Sequence, residues 1–483
     1  MSPRSYALAA FAIAVSFPPS AFAGQPPGTA AAPDIAIGHR DRFYTSDQFS
    51  NTVSVIDPAD NKLLGVIRLG DPTPGNLSPL YRGQLLVHGM GFSPDHHTLL
   101  VVSIGSNSVS FIDTETNQVK HTTYVGRSPH EAFFTPNGAE VWVTVRGENY
   151  VSVLDPRTYL EKTRIVVPNG PGMTIFSPDG RYGYVCSSFS PETVVIATAS
   201  HRIVGRVQQE SPFCPDLAAT PDGSQVWMTL KDVGRVMVFD AKPPFAVIKV
   251  FETGPLTNHV NFVRTARGQF AYVTIGGLDS VKVFRTDTFE QVGSVKVGAV
   301  PHGLWPSGDG TRVYVGLENA DAVAVLDTAS NTLVTEIGIG QGAQGVAYVP
   351  NAVSDGTKAP NLAPLGLAGE KVTLSLLATD GHRASEVTLF NQGLVQVLQA
   401  VVTGLTPGHP YVLALAGDQK GAGTLEPLAN FKANPAGAAV VNAVGPLRQI
   451  IQDPSKSARR FLVVADGSSN APGARVQVQA PGP

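Results

Sequence analysis

At 483 residues the chain carries a length prior of roughly two or three domains, and 43% hydrophobic against 15% charged residues excludes an intrinsically disordered protein. A formal net charge of −3 excludes a strongly basic nucleic-acid binder or a polybasic membrane-surface protein. The 49 glycines and 38 prolines suit many short strands joined by tight turns.

Residues 1–23 read as an export signal: Arg4, then the apolar stretch YALAAFAIAVSF, then the small-x-small site AFA at 21–23. Cleavage there predicts a mature chain starting near Gly24 and a periplasmic or secreted location, with 24–40 as an N-terminal linker; the alternative is a retained N-terminal anchor. No later apolar run reaches the roughly 18 residues a spanning helix needs, so no transmembrane segment is expected. Two cysteines, Cys186 and Cys214, are too few for a disulfide scaffold, so the fold must rest on its core.

From residue 41 the chain repeats itself. HGMGFSPDHHTLLVVSIGSNSVSFIDTETNQV, HEAFFTPNGAEVWVTVRGENYVSVLDPRTYLEKTRIVV and HGLWPSGDGTRVYVGLENADAVAVLDTASNTLVTEIGIG share one grammar. An apolar strand leads to a Pro/Asp/Gly turn, a β-branched strand to a polar turn, a third strand to a closing Asp, and a fourth strand to Gly. The closing residues Asp57, Asp113, Asp155, Asp240 and Asp327 are expected to accept backbone N–H groups and shape the turn. Four short strands per roughly 42 residues is the pattern of a propeller blade. Six copies are complete, at about 87–125, 130–167, 172–207, 215–251, 258–297 and 302–339. A seventh is split between QGVAYVP (344–350) and residues 42–70, so strands from both ends close the ring and remove two sheet edges. The predicted fold is all-β, a seven-bladed β-propeller over 41–350.

The stretches SNTVSVIDPADNKLLGVI, SNSVSFIDTETNQV and ADAVAVLDTASNTLVTEIGIG resemble repeats of the YVTN family of β-propellers, over roughly residues 40–350. The resemblance implies the fold. It implies no single function, since such repeats occur in binding, surface-layer and redox-associated proteins.

Residues 351–370 are rich in Pro, Gly and Ala and read as a linker. Beyond them the period is lost. KVTLSLLAT, EVTLFNQ, VQVLQAVVTGL, PYVLALA, RRFLVVAD and RVQVQA read as short strands of a small Ig-like β-sandwich at 371–483, an accessory or docking module without a catalytic constellation.

Blade topology places the loops into innermost strands, and those between second and third strands, on one rim around the channel mouth. The lead-in loops carry His88, His130, Asp216, His259, His302 and Gln344 at intervals of 42 or 43, with Met173 completing the series. Registered on the Pro/Gly turns, Asp216 and His259 fall one residue later than the other histidines, and a slip of one can turn a side chain away. Converging imidazoles and a carboxylate suit a transition metal such as copper or zinc. The structural alternative is a histidine copied with the blade that hydrogen-bonds backbone beside a wet channel.

Arg146, Lys231 and Glu318 each stand nine residues before their closing Asp, over the same mouth, where with Gln344 they form the candidate ligand-binding set. The two cations would orient an anion; the alternative is solvated loop charge. Cys186 and Cys214 fall on this face in adjacent blades, which makes them a disulfide candidate, with free thiols or a soft metal ligand as the alternatives. The insertion at 71–87 rises beside His88 as a lid or a packed decoration. His96, His97 and His201 fall on the opposite face.

Three functions remain open at this point. One is an exported binding protein taking a small ligand or protein partner at the rim, with no nucleic acid expected. A second is a metal-dependent, copper-like oxidoreductase: seven-bladed propellers with histidine-lined mouths include nitrous oxide reductase and thiocyanate dehydrogenase, and the resemblance to them rests on architecture and rim histidines. A third is a lactonase-like hydrolase using Asp216, Glu318 and Arg146.

Overall fold

The computed structural model describes residues 35–70, 85–370, 372–391, 396–445, 447 and 459–481; the leader at 1–23 and residues 71–84 of the expected lid lie outside them. Seven four-stranded antiparallel sheets form the propeller. Blades 1 to 6 span 87–124, 129–166, 171–208, 217–252, 257–296 and 301–338. In blade 7 the innermost strand Ala343–Val349 pairs with Arg42–Asp47 through Tyr44 and Ala347, and Thr52–Asp57 and Lys62–Arg68 follow outward. The split blade is therefore closed by strands from both ends.

The turns follow from their side chains. On the face away from the mouth, Ser93, Ser177 and Ser307 donate to Asp95, Asp179 and Asp309 at 2.5, 2.6 and 2.7 Å. The same carboxylates accept the N–H two residues on, from His97, Arg181 and Thr311. Asp57, Asp113, Asp155 and Asp327 likewise accept from Ala59, Thr116, Arg157 and Ser330 at 2.8–2.9 Å. The apolar faces of neighbouring blades pack on one another: Trp142 of blade 2 meets Phe176 of blade 3 edge-on at 5.0 Å, in a cluster that continues to Met228 of blade 4. Each such buried side chain contributes about 1.5–3 kcal/mol over exposure.

The second domain corrects the sandwich expectation in one respect. It is all-β, but its strands form one eight-stranded sheet. Val372–Ala378 pairs with Ala471–Gln479 through Leu377 and Val478, which joins what would have been two sheets. Register shifts around Ala465 bend the sheet, and its edge strands Glu426–Lys432 and Ala439–Gly445 come against each other, so the sheet is nearly closed.

The segment at 351–370 is pinned along its length. Val353 N–H donates to Arg40 O, Asn117 Nδ2 to Pro360 O at 2.9 Å and Asn361 Nδ2 to Thr116 O at 2.9 Å, all on the lower face. Val66 and Ala363 then exchange two backbone hydrogen bonds of 2.9 Å on the outer edge of blade 7. Gly65, at φ +149°, allows this: a Cβ there would lie 2.8 Å from Ala363 O. At the top Gln341 Nε2 reaches the carbonyl of Glu370. The segment thus climbs blade 7 and delivers the second domain onto the mouth face. There Phe390 stacks on Phe49 of blade 7 at 4.1 Å, Thr388 Oγ1 donates to Asn319 O of blade 6 at 3.1 Å, and Ala436 N–H donates to Asp232 O of blade 4 at 3.0 Å. Val401 and Ala438 bury against Leu256, Ala299 and Val300, on the loops leading into blades 5 and 6.

Candidate functional site at the channel mouth

The innermost strands do not begin regularly. In blades 1, 2, 5 and 6 pairing runs Val87 with Ser103 then Met90 with Val101, Pro129 with Val145 then Ala132 with Val143, Thr257 with Ile275 then Val260 with Val273, and Pro301 with Leu317 then Leu304 with Val315. Three steps on one strand face two on the other, which is a β-bulge. The bulge holds two consecutive residues: His88-Gly89, His130-Glu131, Asn258-His259 and His302-Gly303. Blade 7 does the same with Gln344-Gly345, and in blade 4 Asp216 immediately precedes Leu217, the residue paired with Met228. Asp216 and His259 therefore occupy the second bulge position, where Glu131 stands, while His88, His130 and His302 occupy the first. A bulge breaks strict alternation, so the one-residue offset does not turn these groups away.

The ring is tight. A Cβ on Gly89, Gly303 or Gly345 would lie 2.2, 2.4 or 2.4 Å from the carbonyl oxygen of His130, Gln344 or His88 on the following blade. Second-strand hydroxyls tie blades at these same carbonyls. Thr144 donates to Gly172 O at 2.8 Å, Thr229 to Asn258 O at 2.6 Å, Thr274 to His302 O at 2.7 Å, and Ser46 to His88 O. In blade 3 the corresponding residue is Cys186. It is disulfide-bonded to Cys214 on the loop into blade 4, with Cα atoms 6.1 Å apart.

The four histidines converge and are buried, at 4–7% exposure. Ring centroids are 4.3 Å apart for His88 and His130, 6.1 Å for His88 and His302, and 4.6 Å for His259 and His302. His130 Nδ1 donates to Gly172 O at 2.9 Å and His302 Nδ1 to Gln344 O at 3.3 Å, leaving each Nε2 with its lone pair. His88 Nδ1 and His259 Nε2 are buried without a hydrogen-bond partner among the described residues. Burial holds His88 down to about 3, and holds His130, His259 and His302 well below the usual imidazole range, with neighbouring imidazoles, Arg146 and Lys231 adding to the effect. All four are neutral imidazoles at pH 7, the form that ligates metals.

Glu131 was not among the residues singled out from sequence; its trace was a charged His-Glu pair inside an otherwise apolar strand. Its Oε1 lies 3.8 Å from Nδ1 of both His88 and His130. One donor atom from each of His88, His130 and Glu131 falls within 4.8 Å of the others. Asp216 Oδ2 accepts from Val260 N–H at 2.8 Å and lies 3.7 Å from His259 Nδ1, while its Oδ1 has no hydrogen-bond partner among the described residues. Burial pushes both carboxyls well above the usual range, an effect a bound cation reverses. A second group, His39, Asp57 and Asp60, lies on the lower face; His39 is 59% exposed and already bonded to Asp57 at 2.9 Å, a surface pair.

The remaining predicted residues line the same mouth. Arg146 lies 5.4 Å from the Phe189 ring centre and 5.3 Å from that of Phe213, and its buried Nε has no hydrogen-bond partner among the described residues. Lys231 Nζ lies 5.9 Å from the same Phe213 ring. Burial lowers both cations, and Glu318, itself buried, acts on Lys231 in the opposite direction. Gln344 accepts from His302 with its backbone carbonyl, and its buried Nε2 has no partner among the described residues.

A family model described as YNCE-like beta-propeller matches residues 82–353. No curated protein matches. Among solved structures, Kuenenia stuttgartiensis Hydrazine Synthase superposes with a TM-score of 0.52 at 20% identity, over 59% of this chain and 92% of that one. A functionally unknown protein from Desulfotomaculum acetoxidans DSM 771 gives 0.53 at 15% identity, over 64% and 98%. Both likenesses are of fold alone.

Proposed function

The chain belongs to the YNCE-like beta-propeller family, and we propose that it is an exported binding propeller whose channel mouth holds one transition-metal ion on His88, His130 and Glu131. The observation that carries this reading is the approach of three buried donors from two adjacent blades to within 4.8 Å. Tetrahedral bonds of about 2.0–2.1 Å put donors roughly 3.3–3.4 Å apart, so the 3.8 Å between Glu131 Oε1 and His88 Nδ1 closes with a small side-chain adjustment, while His130, its Nδ1 bonded to Gly172 O, offers Nε2. Two neutral imidazoles and a carboxylate suit zinc or copper, and three protein donors leave a coordination position for a ligand. The buried Glu131 favours the reading further, because without a cation its ionised form is costly there. Export rests on the leader, Arg4 through Ala23. A metal-dependent oxidoreductase is the second reading, favoured by the same donor set when the ion is copper.

The test is elemental analysis of the untagged mature protein beside a His88→Ala, His130→Ala variant. Near-stoichiometric metal that disappears in the variant supports the site. A wild-type protein that remains metal-free after reconstitution and dialysis overturns it, and makes the histidines inter-blade hydrogen-bonding residues.

A further inference from the structure

The contacts that seat the second domain fall on loops of blades 4 to 7: Asp232, Leu256, Ala299, Val300, Asn319 and Phe49. The domain therefore walls one side of the mouth. The opposite side is lined by Arg146 of blade 2, Phe189 of blade 3 and Phe213 on the loop into blade 4. We propose that this side is a binding site for a small monocarboxylate with an apolar body, its carboxylate held by Arg146 and Lys231 and its body against Phe189.

The argument starts from Arg146. Two aromatic rings at 5.4 and 5.3 Å hold its guanidinium, and no described residue accepts a hydrogen bond from its buried Nε. An unmet buried donor carries the full desolvation cost of the group, more when charged, and a guanidinium edge matches a planar carboxylate. Lys231 brings a second cation to the same Phe213 ring, its Nζ 5.9 Å from the ring centre. Two like charges around one ring repel, and an anion between them offsets this.

Charge selects the class. The carboxylates of Glu318 and Asp232 both act on Lys231 and offset much of the charge of the two cations, which disfavours a dianion such as sulfate or phosphate over a monoanion. Asp232, next in the chain to Lys231, also accepts a hydrogen bond from Asn434 of the second domain. The apolar body follows from Phe189, 55% exposed on a rim whose facing side is covered. An aromatic ring left open beside paired cations is a contact surface for something apolar.

This site uses none of the three proposed metal donors, so it stands or falls without the ion. The test is calorimetric titration of the full mature chain, as purified and after chelator treatment, with benzoate, benzamide and sulfate as probes. Benzoate is expected to bind the chelator-treated protein, with benzamide and sulfate each about tenfold weaker or worse. Arg146→Gln and Lys231→Gln should each weaken benzoate by about tenfold or more, and Phe189→Ala by several-fold, with unchanged circular dichroism. Benzoate that binds Arg146→Gln as well as wild type, sulfate that binds as tightly as benzoate, or binding that exists only with metal present would each overturn the proposal. Failure of the metal reading is seen separately, in the elemental content of the same preparation.

Discussion

His130 gives its Nδ1 proton to the carbonyl oxygen of Gly172, 2.9 Å away and one blade further round the ring. The Thr144 hydroxyl donates to the same oxygen at 2.8 Å. One carbonyl thus fixes both the blade junction and the tautomer of the imidazole, as a metal-binding histidine requires of its second nitrogen. His302 repeats the arrangement with Gln344, but the donors around it do not assemble in the same way. Among the described residues, His88, His130 and Glu131 are the mouth group that comes within 4.8 Å.

That difference predicts one ion per chain. Glu131→Gln should lower metal affinity about tenfold or more in competition with a chelator. Asp216→Asn and His302→Ala should leave the stoichiometry at one. Two ions in the wild type, reduced to one by Asp216→Asn, would show that the His259–His302 side binds as well.

The Cys186–Cys214 bond stands where blades 2, 4 and 5 use a threonine hydroxyl on the next blade's carbonyl. Closing a loop with a sequence separation of 28 restricts the unfolded chain by about 3–4 kcal/mol on the loop-entropy scale. Reduction should therefore lower the melting temperature by several degrees. A Cys186→Thr, Cys214→Val variant, which restores a hydroxyl at that place, should recover part of the loss relative to Cys186→Ala, Cys214→Val. Equal melting of oxidised and reduced protein would remove the bond from any account of ring closure.

Asp47 predicts a pH dependence. Its carboxyl is fully buried and accepts from Thr45, Thr52 and Ser54 at 2.6, 2.8 and 2.7 Å, yet burial outweighs these bonds and raises it from 3.8 to about 7. An acid raised in the folded state binds more protons folded than unfolded between those values. Its contribution to stability is therefore full below about pH 4 and is lost as pH rises to about 7. Between pH 5 and pH 8 the loss is at most about 3 kcal/mol. Asp47→Asn should lack this component, so denaturation of both proteins at the two pH values should show the variant gaining on wild type at pH 8. Parallel pH profiles would mean that Asp47 is ionised throughout.

The blade count and the split seventh blade were legible because local chemistry repeats: the Ser93–Asp95 turn and the Asp113 turn are short-range and recur with the period. Glu131 was hidden for a different reason. Alternation places it opposite His130, and only the bulge, a tertiary adjustment between Pro129 and Ala132, brings both to the channel. The single sheet of the second domain depends on Leu377 meeting Val478, about a hundred residues away, which no local pattern carries. The same holds for the segment at 351–370: its Pro, Gly and Ala look like a free tether, and the pairing of Ala363 with Val66 is made entirely by backbone. The four histidines and the two cations were found from topology, since blade geometry maps loop position onto face. Their covering by the second domain was not, because contacts such as Thr388 with Asn319 link modules of unrelated pattern.

The Phe49–Phe390 stack makes that covering testable. Phe49 projects from the second-to-third-strand loop of blade 7, and Phe390 is fully buried beneath it, with ring centres 4.1 Å apart. Truncating Phe390 to Ala should cost about 3–5 kcal/mol, part of it from the second domain's own core. A double-mutant cycle separates the two parts: Phe49→Ala, Phe390→Ala and the double variant should show a coupling of about 0.5–1.5 kcal/mol in unfolding free energy. In hydrogen exchange, either single variant should speed exchange at Asn319 and Asp232, on the covered side, before it does so at Arg146. Strict additivity, together with exchange rates unchanged at Asn319, would mean that the second domain does not depend on this pair to hold the mouth, and that the one-sided opening rests on the Val401–Val300 cluster instead.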